Sequence, residues 1–134
     1  MIHVVVGIIS RQRANCETEY LLVSSKKNFG EFSGCFYPPA GHLEDGEDEK
    51  TALVREIKEE LNLEVSPLRK FAETEGDVKD QLTSWWSCEI IDGEFKVNGE
   101  EIAKAGFFTR AEMEKMSLWP ATKKFFENYP QIDG

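Results

Sequence analysis

Residues 41–63 read GHLEDGEDEKTALVREIKEELNL, and this stretch decides the fold. Leu53, Ile57 and Leu61 recur at i, i+4 and i+8, with Val54 widening the stripe, so the spacing predicts an amphipathic helix from about Asp48 to Leu61. Asn62 follows as a left-handed cap, the second choice after glycine. Glu56 and Glu60 fall about 40° apart around that helix and Glu59 about 60° to the other side. Like charges at these spacings cost a helix roughly 0.2–0.5 kcal/mol per pair. The carboxylate arc adjoins the apolar stripe without overlapping it, so one side can pack on a sheet while the other borders a cleft. No lysine stands in that arc, and the natural counter-charge is a divalent metal carrying a phosphate.

Outward from the helix, residues 2–10 and 19–24 are rich in β-branched and apolar side chains and read as strands joined by the polar hairpin RQRANCET. A Gly-containing loop, 26–34, leads to a short apolar stretch, 35–37, stopped by Pro38-Pro39. After the helix, 63–75 begins extended with Pro67 interrupting it. Residues 81–91, QLTSWWSCEII, form a long strand ended by the Asp92-Gly93 turn. Phe107-Phe108 is a short strand. Thr109-x-x-Glu112 is a capping box opening a helix near 110–116. Pro120 suits the first position of a last helix running to about Asn128. Strands mixed with helices, without repeats or linkers, predict one domain over 1–134 of the α/β or α+β class.

Composition narrows the function. A net charge of −9 opposes sequence-nonspecific binding to a nucleic-acid backbone or an anionic membrane, which rests on many Lys/Arg contacts. An anionic small substrate remains compatible through bridging magnesium ions, which invert the local charge. The first ten residues are apolar but too short to span a bilayer and have no basic segment before them, so they read as a buried strand. Cys16, Cys35 and Cys88 are odd in number and widely spaced. With only His3 and His42 to join them they suggest reduced thiols in a cytoplasmic chain, not a zinc site.

Gly41, five residues, Glu47, seven residues, then Arg55-Glu56-Ile57-Lys58-Glu59-Glu60-Leu61-Asn62-Leu63 resembles the signature of the Nudix hydrolases, G-x5-E-x7-R-E-U-x-E-E-x-G-U, where U is a bulky apolar residue. Every charged position matches; Asn62 stands where the family has glycine. The resemblance implies an α/β/α sandwich around a mixed sheet. It also implies Mg2+-dependent (or Mn2+-dependent) hydrolysis of a nucleoside diphosphate linked to another group. Glu56, Glu59 and Glu60 are the implied metal ligands, with Gly41 supplying unhindered backbone or a carbonyl. Catalytic roles fall to Glu59, Glu56 and Arg55. By resemblance Arg55 orients a box glutamate, with Glu47 near the helix start as its partner. The family commonly recruits a further glutamate from a later loop. Glu101 is the candidate, although Lys104 stands where a second acid is usual.

The nucleotide side is less legible. Trp85 and Trp86 are adjacent in a strand and so face opposite sides of the sheet, one toward the core and one free to stack on a base. Phe36 and Lys26 are further candidate substrate contacts, and Phe29, Tyr37, Trp119, Lys27, Arg11 and Arg13 are similar ones. The proline or tyrosine that marks some subclasses about fifteen residues past the box is absent from GDVKDQL, 76–82. The first expectation is a nucleoside triphosphate pyrophosphohydrolase of the MutT type. Its rivals are an ADP-ribose or nucleotide-sugar pyrophosphatase and an inactive nucleotide-binding or protein-interaction module. RNA 5′-end hydrolysis is disfavoured by the lack of a basic stripe. The expected partner is a nucleotide, with no membrane and no stable nucleic-acid partner; a homodimer stays open.

Overall fold

The apolar amino-terminal run becomes β1 (Ile2–Gln12), the central strand of a mixed seven-stranded sheet. The computed structural model describes residues 2–75, 79–98, 100–130 and 132. On one side β1 runs parallel to β6 (Gln81–Gly93), from Ile2 opposite Gln81 to Ile9 opposite Cys88. Beyond β6, β5 (Leu63–Glu75) pairs antiparallel and forms the sheet edge. An edge is where Pro67 can sit in a strand, and the register shifts between Pro67 and Arg69.

The other side of β1 is shared by two strands. Val4–Val6 pair with β4 (Ala40–His42), whereas Ser10–Gln12 pair with β2 (Thr18–Ser25). β2 in turn carries β3 (Phe36–Tyr37) and β7 (Ile102–Thr109). The sheet therefore forks along β1, one branch ending at β4 and the other fanning out through β2.

Alternation along β1 divides the core into two layers. Val5 and Ile9 face α1 (Glu49–Leu61), whose Leu53, Ile57 and Leu61 are buried against them. Each of these side chains contributes roughly 2 kcal/mol over leaving it in water. Val4, Val6 and Ile8 face the opposite way, toward Met113 of α2 (Arg110–Met113) and Phe125 and Phe126 of α3 (Pro120–Asn128). This is an α/β/α sandwich with a mixed sheet.

The caps follow the sequence. Asp48 accepts a hydrogen bond from the Thr51 amide at 2.8 Å, and Thr109 and Glu112 form the reciprocal capping box. Asn62 closes α1 in the left-handed region (φ 58°), its amide Nδ2 donating to the Glu94 carbonyl at 2.9 Å. Gly93 approaches it closely: a Cβ there would lie 2.4 Å from the Asn62 oxygen.

Several elements differ from expectation. β4 resumes pairing immediately after Pro38-Pro39, because the ladder it joins begins only at Ala40. β7 covers eight residues where only Phe107-Phe108 were expected, since pairing with β2 recruits Ile102–Gly106, whose alanines, glycine and lysine carry little strand propensity of their own. α2 is a single turn. Of the marker region 76–82, residues 76–78 lie outside the described residues, while Gln81 and Leu82 open β6.

Candidate active site

The first turn of α1 is fixed to the sheet by polar contacts. Glu49 accepts from Trp86 Nε1 at 2.8 Å and from Lys70 Nζ at 3.1 Å. These bonds hold its carboxyl below the usual range despite burial. Trp86 is thereby committed to the helix side of the sheet, and it does not line the cleft described below.

One turn further on, Arg55 grips Glu47 with a two-pronged contact, Nε to Oε2 at 2.7 Å and Nη2 to Oε1 at 2.8 Å. That contact drives the Glu47 pKa down to about 2. Nη1 reaches back to Glu56 Oε1 at 2.8 Å and lies 3.7 Å from Glu59 Oε2. The carboxylate arc thus has a cation at one border, supplied from a neighbouring sector of the helix by the length of an arginine side chain.

Glu60 has no such partner: no Lys, Arg or His of the described residues forms an ion pair with it. Burial, then the charges of Glu56 and Glu101, a hydrogen bond with Glu56 and the charge of Glu59 push its pKa up to about 7. Glu56 is drawn to the same place by the bare backbone of β4. A Cβ on Gly41 would lie 2.2 Å from Glu56 Cγ and 2.8 Å from Oε2, so the glutamate side chain occupies the space that any other residue at 41 would fill.

These residues form one end of a cleft of about 390 Å³. Gly41, Glu56, Glu60 and Glu101 line the acidic end. Glu101 stands just before β7, its carboxylate 3.1 Å from Lys27 Nζ and its carbonyl accepting the Lys26 amide at 2.7 Å. At the far end Trp119 makes edge contacts with Phe29 (centroids 5.2 Å apart) and Tyr37 (6.5 Å). Tyr37 faces Glu60 across the cleft; burial first, and that charge second, raise its phenol to about 12.

The expected substrate contacts are redistributed. Trp85 is buried, stacked on Phe125 at 4.4 Å with its Nε1 donating to Thr74, and it lines the cleft with almost no exposed surface. Phe36 packs on Phe108 in the α3-side core and does not line the cleft. Lys26 is exposed beside the cleft, and its neighbour Lys27 lines it. Gln81, Thr83 and Thr122, which also line it, carried no sequence signal: an isolated polar residue reads the same in a wall as on a surface.

The donor set can be tested for a divalent cation. Among the described residues no three His, Cys, Asp or Glu side chains already converge as a finished metal cage. Glu59, with 62% of its side chain exposed, faces outward past Arg55. Magnesium, however, keeps several waters and is commonly held by one or two carboxylates plus substrate phosphates. Glu56 and Glu60, side by side in a half-buried acidic pocket, fit that requirement. The chemistry of these donors also suits manganese. Cys16, Cys35 and Cys88 are free thiols far apart in exposure, and Cys88 is buried, which raises its pKa to about 12. No described helix is long and apolar enough to cross a membrane.

A glutamate-bearing helix packed on a forked mixed sheet, with an arginine locking the loop before it, defines a recognisable class. The chain belongs to the Nudix family: the NUDIX domain profile matches residues 1–129. It is 33% identical to the ADP-ribose pyrophosphatase of Methanocaldococcus jannaschii over 116 residues, 84% of this chain and 64% of that protein. The chain therefore spans a little under two thirds of that relative's length. Among solved structures, a NUDIX hydrolase from Nitrosomonas europaea superposes with a TM-score of 0.77 at 19% identity, covering 96% of this chain and 69% of that one. The NUDIX domain of Shewanella oneidensis NrtR, crystallised with ADP ribose, superposes with a TM-score of 0.76 at 12% identity, covering 97% and 86%. At those identities the likeness concerns the fold.

Proposed function

We propose that the chain is a divalent-metal-dependent hydrolase of a nucleoside diphosphate linked to another group, acting as one Nudix domain. The observation that carries this reading is the Glu56–Glu60 carboxylate pair, without a protein cation on Glu60, at one end of a cleft whose other end is aromatic. Glu56, Glu60 and, after a side-chain rotation, Glu59 would hold magnesium. Bound there, the metal would neutralise the diphosphate and lower the pKa of an attacking water. Arg55 holds Glu56 in place and, through Glu47, holds the loop ahead of the helix. Glu101 accepts a proton at the cleft rim. Trp119 and Phe29 seat the base.

The aromatic end of the cleft seats one base, which suits a nucleoside triphosphate and ADP-ribose alike; the triphosphate is the first reading. ADP-ribose is the second reading, favoured by the curated relative that carries this activity in its name. A panel of nucleoside triphosphates, including oxidised ones, and nucleotide sugars, assayed with Mg2+ and scored for the product released, separates the two. Exclusive turnover of ADP-ribose would reject the triphosphate reading. Glu59→Gln and Glu60→Gln should each abolish most turnover. Tight nucleotide binding with no turnover of any substrate by the wild type would instead identify a sensing module.

A further inference from the structure

Lys27 is the one Lys or Arg among the described residues that line the cleft, and the acidic end holds Glu56, Glu60 and Glu101. Its ammonium sits 3.1 Å from Glu101 Oε1, with both side chains more than half exposed. An ion pair so open to solvent is weak and is easily exchanged for a denser charge. The backbone beneath it is not free to drift: the Lys27 amide donates to Ser25 Oγ at 3.0 Å, and the Lys26 amide to the Glu101 carbonyl at 2.7 Å. The ammonium therefore sits at the end of a flexible side chain on a fixed base, paired with the Glu101 carboxylate and bordering the cleft interior. The guanidinium of Arg55 is spent on Glu47 and Glu56, which leaves it no free fork for a phosphate.

We propose that Lys27 is a phosphate-binding residue of this site, held by Glu101 in the free protein and transferred to a phosphate oxygen of the bound nucleotide. This rests on the nucleotide-hydrolase reading. The exchange has a second effect: Glu101 loses its ion-pair partner as substrate enters the cleft. Lys27 thus couples occupancy of the cleft to the state of Glu101. Lys26 differs in that its side chain lies outside the lining.

The test is binding of a non-hydrolysable α,β-methylene nucleoside triphosphate with Mg2+, measured by calorimetry, alongside steady-state kinetics on the best substrate. Lys27→Gln should weaken binding and raise KM about tenfold, the loss of one charge-assisted contact, with kcat changed much less. Lys27→Arg should restore both to within about threefold, and Lys26→Gln should alter neither. Glu101→Gln should tighten binding in the wild-type background and leave it unchanged in Lys27→Gln. Wild-type affinity in Lys27→Gln, or an arginine variant as weak as the glutamine one, overturns the proposal while the hydrolase reading stands. A wild type that neither binds nor hydrolyses any nucleotide overturns both.

Discussion

Replacing Gly41 by alanine adds one methyl group and no charge, yet it strikes at the centre of the site. The new Cβ falls 2.2 Å from Glu56 Cγ and 2.4 Å from Cδ. Carbon atoms in contact settle near 3.5–4.0 Å, so Cγ must retreat by about 1.3 Å. The strand cannot give way instead, because Val5 pairs with Gly41 in the ladder. Glu56 must leave both Arg55 Nη1 and its place beside Glu60. A misplacement of about 1 Å in a catalytic group costs on the order of a hundredfold, which is the expected loss in kcat/KM. Overpacking of this kind costs about 1–3 kcal/mol of stability, and the freedom of a glutamate chain puts it at the lower end. Turnover on the best substrate and urea denaturation measure the two effects separately. The double variant Gly41→Ala/Glu56→Ala checks the route: if the methyl acts through Glu56, it should cost nothing further once that side chain is gone. A Gly41→Ala protein with kcat/KM within threefold of wild type would refute the reasoning.

Arg55→Lys keeps the charge but loses the fork that holds Glu47 and Glu56 together, and activity should fall by roughly 10–100-fold with little change in fold by circular dichroism. The Glu60 carboxyl, pushed up to about 7 from an ordinary 4.5, ionises later in the folded protein than in the unfolded chain. Its contribution to metal-free stability therefore declines as pH rises from about 4.5 through 7. The wild-type melting temperature relative to Glu60→Gln should fall between pH 5 and pH 8, and Mg2+ should restore it more at pH 8. Asn62→Gly relieves a left-handed side chain but gives up the bond to the Glu94 carbonyl. These opposing terms, each about 1 kcal/mol, leave stability within about 1 kcal/mol of wild type and turnover unchanged.

Much of the frame was legible because local chemistry and tertiary need agree in it. α1 has its apolar stripe, its Asp48 cap and its left-handed Asn62 within fifteen residues, and its bounds follow from them. β1, β2, β6 and α3 carry strong apolar runs or a proline at the first turn. β4 did not announce itself, since three residues after two prolines acquire strand character only through the Val4–Val6 ladder. The first part of β7, ahead of Phe107-Phe108, was hidden for the same reason. Within the site, spacing pointed to the glutamates, but two distinctions lay beyond it. Arg55 folds back over the helix onto Glu56, a path set by rotamers and not by angular position. Whether Trp85 or Trp86, and Lys26 or Lys27, meets the cleft depends on which face of the sheet the fork opens, and residue order alone carries no such information.

The fork along β1 also divides the labour of the molecule. The carboxylate helix and Gly41 hang from β4 and from β6 and β5 across β1, whereas Lys27, Phe29, Tyr37 and Glu101 hang from the branch built on β2, β3 and β7. On the proposed reading, chemistry and recognition are thus carried by separate parts of one sheet that share β1 and the core and face each other across the cleft. Substitutions on the second branch can change which nucleotide is accepted while the reacting end keeps its geometry. A frame divided in this way allows one reaction to be redirected among many substrates by changes confined to a few loops.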